Sequence, residues 1–174
     1  MSADADETAT PDDVPWLSPE QQRDWRALVV LLATLPPAME AQLKRNAGVN
    51  LFEYQVLATL SEAPGRTLGL SELAGLSQGS LSRLSHAITR LERSGWVRRH
   101  SWADGGGRRA KALLTDAGLA KLEEIAPSHV REARRLVVDV LSPEQLAALG
   151  DAARAISATV LAGAAEECRR AGDC

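Results

Sequence analysis

Between Ser80 and Lys111 the chain gathers side chains able to make directional hydrogen bonds to an anionic or heterocyclic partner. Leu81, Leu84, Ile88 and Leu91 recur at helical spacing, so one stripe of this segment faces a core. The remaining faces carry Ser80, Ser82, Arg83, Ser85, His86, Thr89, Arg90 and Arg93, which are short hydroxyls, an imidazole and long cations. Such groups reach base edges and phosphate oxygens when a helix lies in a major groove. Charge is distributed to match. From Arg66 to Lys111 nine Lys or Arg stand against Glu72, Glu92 and Asp104, a net of +6, whereas the 174-residue chain is −3 overall and the remainder therefore −9. An acidic chain with one basic segment concentrates its positive field there.

Other chemistries lack their constellations. His86, His100 and His129 stand far apart, with no carboxylate or cysteine at ligand spacing, so a zinc site is not expected. Gly105-Gly106-Gly107 leads into a strand and not a helix, which is the wrong context for a phosphate-cradling loop. No serine lies in a nucleophile elbow or triad, so neither catalysis nor a cofactor is expected. Cys168 and Cys174 fall in the last seven residues, where they cannot staple a core.

The elements that must position the cations follow from caps and breakers. Ser71-Glu72-Leu73-Ala74 opens a short helix, Ser77-Gln78-Gly79 turns, and a longer helix runs from about Ser80 to Ser94 before Gly95. Trp96 to Leu114 alternates as two strands about the glycine tip, with Arg98 and Arg99 on one strand and Arg108, Arg109 and Lys111 on or near the other. Upstream, Asn50-Leu51-Phe52-Glu53 launches a helix over Phe52, Val56, Leu57 and Leu60 that ends at Ala63-Pro64-Gly65 and floors the two that follow. Ser18-Pro19-Glu20-Gln21 starts the first helix, whose stripe of Trp25, Leu28, Leu32 and Leu35, broadened by Val29 to Leu31, suggests burial on more than one side. Pro36-Pro37 should interrupt it. Thr115 caps a helix of about seven turns containing Pro127, and Ser142-Pro143-Glu144-Gln145 repeats the first helix's start. Leu146, Leu149, Ala153, Ile156 and Val160 then alternate three and four apart, a coiled-coil-like seam.

Leu70 to Gly118 resembles the winged helix-turn-helix core of MarR-family transcriptional regulators. The resemblance is carried by Ser71-Glu72-Leu73-Ala74, Ser82-Arg83-Leu84-Ser85-His86, Leu91-Glu92-Arg93-Ser94-Gly95-Trp96-Val97-Arg98-Arg99 and Leu114-Thr115-Asp116-Ala117-Gly118, and extends more weakly from about Leu17 to Leu161. One departure concerns the wing, where the family's Asp-x-Arg is replaced by Asp104 and Arg108 with three glycines between. The resemblance implies a triangular dimer, a small aromatic or phenolic effector lodged between dimer helices and reading domain, and DNA as partner. Its candidate walls here are Trp16, Trp25, Phe52, Tyr54 and His129. The peroxide sensors of the family carry a reactive cysteine near the start of the first helix, and this sequence has none there.

The expected fold is thus mainly α with a small β-hairpin wing, a winged helix-turn-helix domain plus a helical dimerisation region. Residues 1–15 form an acidic tail, 16–49 an N-terminal dimerisation helix kinked at the prolines, 50–114 the DNA-binding domain, 115–165 C-terminal dimerisation helices and 166–174 a flexible tail. The surplus apolar surface of the first and last helices argues for a homodimer, whose two-fold axis predicts a pseudo-palindromic double-stranded DNA site. Ser80, Ser82, Arg83, Ser85, His86 and Arg90 are the expected contacts on the reading helix, with Arg99, Arg108, Arg109 and Lys111 on the wing. With no run near the size of a membrane span and an acidic start, the chain is read as a cytoplasmic regulator, more naturally a repressor. The competing reading is a winged-helix adaptor for other proteins, which would have little reason to keep so many cations on one helix and hairpin.

Overall fold

The computed structural model describes residues 14–104 and 107–171, of which 101–109, 164–165 and 167–171 as backbone only. It divides into two compact units, one ending at Ala38 and one beginning at Met39. The N-terminal unit is the leading part of α1 (Pro19–Ala47). Ser18 Oγ accepts from the Gln21 amide at 3.1 Å while Gln21 Oε1 accepts from the Ser18 amide at 2.9 Å, the reciprocal cap expected from that tetrapeptide. Contrary to expectation, α1 continues through Pro36 and Pro37. Each proline removes one amide donor, but its ring holds φ near a helical value, so the helix forgoes two internal bonds and resumes. Trp25, Val29, Val30 and Leu32 are exposed, and not buried on more than one side, because the described residues of that unit supply no second element to cover them.

The second unit is built on α2 (Leu51–Glu62), α3 (Leu70–Leu76), α4 (Leu81–Arg93) and a three-stranded antiparallel sheet. Its strands are β1 (Thr67–Gly69), β2 (Val97–Asp104) and β3 (Gly107–Leu114), in the order β1-β3-β2. One apolar cluster joins Phe52, Val56, Leu57 and Leu60 of α2, Leu73 and Ala74 of α3, and Leu84, Ala87, Ile88 and Leu91 of α4, closed by Leu68, Val97, Ala112 and Leu114 from the sheet. α2 is thus the floor expected for the two helices after it. A smaller cluster of Leu43, Val49 and Ile125 ties the end of α1 to α5 (Asp116–Ala133).

α5 is capped by Thr115, whose Oγ1 accepts from the Gly118 amide at 3.0 Å, and contains Pro127. It passes into a π-helical turn, Arg134–Val138, before α6 (Pro143–Ala171). Ser142 and Gln145 cap α6 as Ser18 and Gln21 cap α1. α6 runs to Ala171, so residues 166–171, expected as tail, belong to the helix. Leu149, Ile156, Val160 and Leu161 on it are exposed. By length and composition alone, α1 and the Pro143–Gly163 part of α6 are each apolar enough to cross a membrane, which corrects the expectation that no run approaches that size. Each helix meets that test only over an 18-residue stretch with at most two charged side chains, flanked in α1 by polar residues at both ends. The acidic start up to residue 13 and Cys174 lie outside the described residues, as does the side chain of Cys168.

Candidate nucleic-acid interface

The turn from α3 into α4 is set by backbone bonds. The Gly79 amide donates to the Ala74 carbonyl at 2.9 Å and the Gln78 amide to the Gly75 carbonyl at 3.1 Å, the paired pattern that ends a helix on a left-handed residue. That residue is Gln78, at φ 56°. Glycine is instead needed one position later. A Cβ on Gly79 would lie 2.5 Å from the Phe52 ring, so only a bare backbone passes over α2 there. Ser80 then caps α4 through its Oγ, which accepts from the Arg83 amide at 3.1 Å. At the other end the amides of Gly95 and Trp96 donate to the carbonyls of Glu92 and Leu91, with Gly95 at φ 74°. α4 is thereby fixed at both termini.

Its buried stripe is Leu84, Ala87, Ile88 and Leu91. Leu81, expected to head that stripe, is 57% exposed. The core covers α4 only from Leu84 onward, so the apolar period outruns it by one residue. Ser82, Ser85, His86 and Arg93 are exposed on the faces away from the core. Arg83 is exposed too, but its guanidinium lies over the Phe52 ring, 4.3 Å from the centroid, within cation–π distance.

Two of the candidate cations are committed to internal pairs. Arg90 Nε lies 2.9 Å from Glu53 Oε1, an ion pair without hydrogen-bond alignment, and the Glu53 carboxylate is buried. The other Glu53 oxygen accepts from the Asn50 amide at 2.9 Å, so one carboxylate both caps α2 and tethers α4. Arg99 Nη2 donates to the Ser85 carbonyl at 3.3 Å and to Thr89 Oγ1 at 3.2 Å, and the Arg99 amide donates to Glu92 Oε1 at 2.8 Å. Arg99 therefore fastens the wing strand to the outward side of α4. Neither pairing is visible in sequence, because Glu53 and Arg90 are distant along the chain and Glu92 shows only as a surface acid.

The wing pairs Val97↔Leu114 through Asp104↔Gly107. Gly107, expected in the tip, belongs to β3, and Gly105 and Gly106 lie outside the described residues. So do the side chains of Trp102, Asp104, Arg108 and Arg109, and with them the Asp to Arg brace. Lys111 is exposed on β3 opposite His100. Arg98, on the strand face opposite Arg99, joins Arg66, Thr115 and Asp116 around an open hollow of about 470 Å³. Arg66 donates to Asp116 there at 2.9 Å.

The five candidate effector residues are not equivalent. Trp16 and Trp25 belong to the N-terminal unit and are 78% and 54% exposed. Phe52 is withdrawn from the expected pocket, since its ring is buried in the core beneath Arg83. Tyr54 and His129 do meet, with ring centroids 4.2 Å apart. His129 Nδ1 lies 3.4 Å from Oε1 of the buried Gln42, where an Nδ1–H would donate, and Gln42 Nε2 donates to Ser128 Oγ at 3.2 Å. Burial pushes the His129 imidazole below its ordinary range and the Tyr54 phenol above its own. Beside this cluster a groove of about 250 Å³ runs along Tyr54, Gln55, Ala58, Thr59 and Glu62 of α2 to Leu76, Ser77 and Gln78. Ser77 Oγ is buried there, with no hydrogen-bond partner among the described residues. Among the described residues no group of three or more His, Cys, Asp or Glu is arranged to hold a metal ion.

No family model matches the chain. The structure of Sco3205, a MarR family transcriptional regulator from Streptomyces coelicolor solved in complex with DNA, is 39% identical over 83% of this chain and 94% of its own, with a TM-score of 0.79. AbsC, a MarR family transcriptional regulator of the same organism, is 34% identical over 86% of this chain and 99% of its own, at a TM-score of 0.78. The HTH-type transcriptional regulator PecS of Dickeya dadantii (strain 3937) is 33% identical over 93 residues, and that match spans only about half of either chain, 52% of each.

Proposed function

This chain belongs to the MarR family of transcriptional regulators, and on that premise we propose that it is a cytoplasmic homodimer that binds a pseudo-palindromic duplex and represses transcription until a small aromatic or phenolic ligand releases it. The coarser statement, a DNA-binding transcription regulator and not an enzyme, follows from the family. The observation that carries the finer reading is α4 itself. It is pinned at both ends, tethered to α2 through Arg90 and Glu53, and leaves Ser82, Ser85 and His86 exposed on one side. Ser82, Arg83 and His86 are assigned to base edges, and Ser80 and Ser85 to adjoining phosphates. Arg108, Arg109 and Lys111 are assigned to the wing's contact with the minor groove or its rim. Arg90 and Arg99 position those elements, whatever further contact their exposed atoms make.

A dimer is supported by the exposed apolar residues of α1 and α6, which a second copy would bury. Effector binding is supported by the groove beside Tyr54, which joins an aromatic wall to the turn that carries α4. A ligand favouring one spacing of the two α4 helices over another would shift the population away from the DNA-binding form. Selection of bound duplexes from a random pool tests the reading. It predicts an inverted repeat with half-sites about one helical turn apart, and a pool that stays unenriched contradicts it.

A further inference from the structure

We propose that Leu81 is a specificity-determining residue that reads thymine through its C5-methyl group. The proposal rests on the DNA-binding reading above and deepens it. Leu81 continues the spacing of Leu84, Ile88 and Leu91, yet those three are at most 1% exposed and Leu81 is 57% exposed. It occupies the first turn of α4, directly after the Ser80 cap and one turn before Ser85, the residue whose carbonyl holds the wing's Arg99. The surrounding side chains of Ser80, Ser82, Arg83 and Ser85 are polar and exposed. A bulky apolar side chain on a surface otherwise made for hydrogen bonding gains where an apolar group of the partner covers it. In a major groove the base edges offer donors, acceptors and one apolar feature, the thymine methyl. Hydroxyls and cations around Leu81 fix the register, while Leu81 itself discriminates thymine from cytosine and from any base that lacks the methyl group.

The test uses the full chain and a duplex recovered by selection, with each thymine replaced singly by deoxyuridine, which keeps every hydrogen bond and removes only the methyl. Affinity of the unaltered protein should fall roughly fourfold at one or two thymines in each half-site, the loss of about one buried methyl. Leu81→Ala should bind the parent duplex more weakly by a similar factor and show no further loss at those same thymines. Since the scan is done on the unaltered protein, it does not depend on any variant folding. A flat scan, or a Leu81→Ala variant that keeps the same sensitive thymines, overturns the proposal while leaving DNA binding intact. Failure to bind any duplex in dilute salt overturns both.

Discussion

Arg83 and Arg90 differ by seven residues and by role. The Phe52 ring lies beneath the Arg83 guanidinium, a planar fork of the kind that can read a guanine edge with two bonds. Arg83→Ala is expected to cost roughly 1–3 kcal/mol on the selected duplex and to relax preference at one position, measured by competition against single-base variants. An equal loss on every sequence would demote Arg83 to a phosphate contact. Arg90→Ala should act on the fold instead, because it strands the buried Glu53 carboxylate. Arg90 is 59% exposed, so water replaces much of what is lost, and a cost of about 1 kcal/mol in denaturant unfolding is expected, well below that of a fully buried pair. Unchanged stability would show that the Asn50 amide alone satisfies Glu53.

At the scale of elements, the junction of α4, β3 and α5 leaves no room for a side chain at Gly118. The Thr115 hydroxyl lies 2.7 Å from the Gly95 carbonyl and caps Gly118, and a Cβ on Gly118 would fall inside the contact radius of the Trp96 carbonyl oxygen. Backbone cannot yield as a side-chain tip does. Gly118→Ala should therefore lower the melting temperature sharply, by a free energy of roughly 2 kcal/mol or more, and an unaltered melt would mean that the junction has slack. The packing of α2, α5 and the end of α1 carries a pH dependence through His129. Its folded-state affinity for protons is lowered by burial, so the unfolded chain protonates first as pH falls below the ordinary 6.5. Stability is then full above that value and declines beneath it, until the folded state takes up the proton as well. Thermal melts at about pH 7.5 and 5.5 should separate for the parent chain and converge for His129→Gln. Equal separation in both would place the titration elsewhere.

Caps and breakers are local chemistry, which is why Ser18, Asn50, Thr115, Ser142 and Gly95 marked their helix ends in the sequence itself. The pairing of Arg90 with Glu53 and of Arg99 with Ser85 and Thr89 was not legible, because side chains on one helix face look alike until a second element approaches. Leu81 misled for the same reason: periodicity says which side of a helix is apolar, not how far the core extends along it. Phe52 sits in the core, and an aromatic beside a candidate pocket and an aromatic in a core share one letter in the sequence. The prolines of α1 show that a lost donor is a cost and not a stop.

Across the whole molecule, charge is segregated along the chain. An acidic chain carries its excess of cations on the segment from Arg66 to Lys111, and two copies would present that segment twice to one duplex. Exposed leucines, valines and tryptophan on α1 and α6 are the surface that the proposed pairing of copies would bury. The most direct test is the affinity of the full chain for its selected duplex across a salt series. If cations of α4 and the wing displace counterions from phosphates, log affinity should fall linearly with log salt, by about 0.9 for each phosphate neutralised and with a slope steeper than about −3. A slope near zero, or no binding at the lowest salt, would contradict the account.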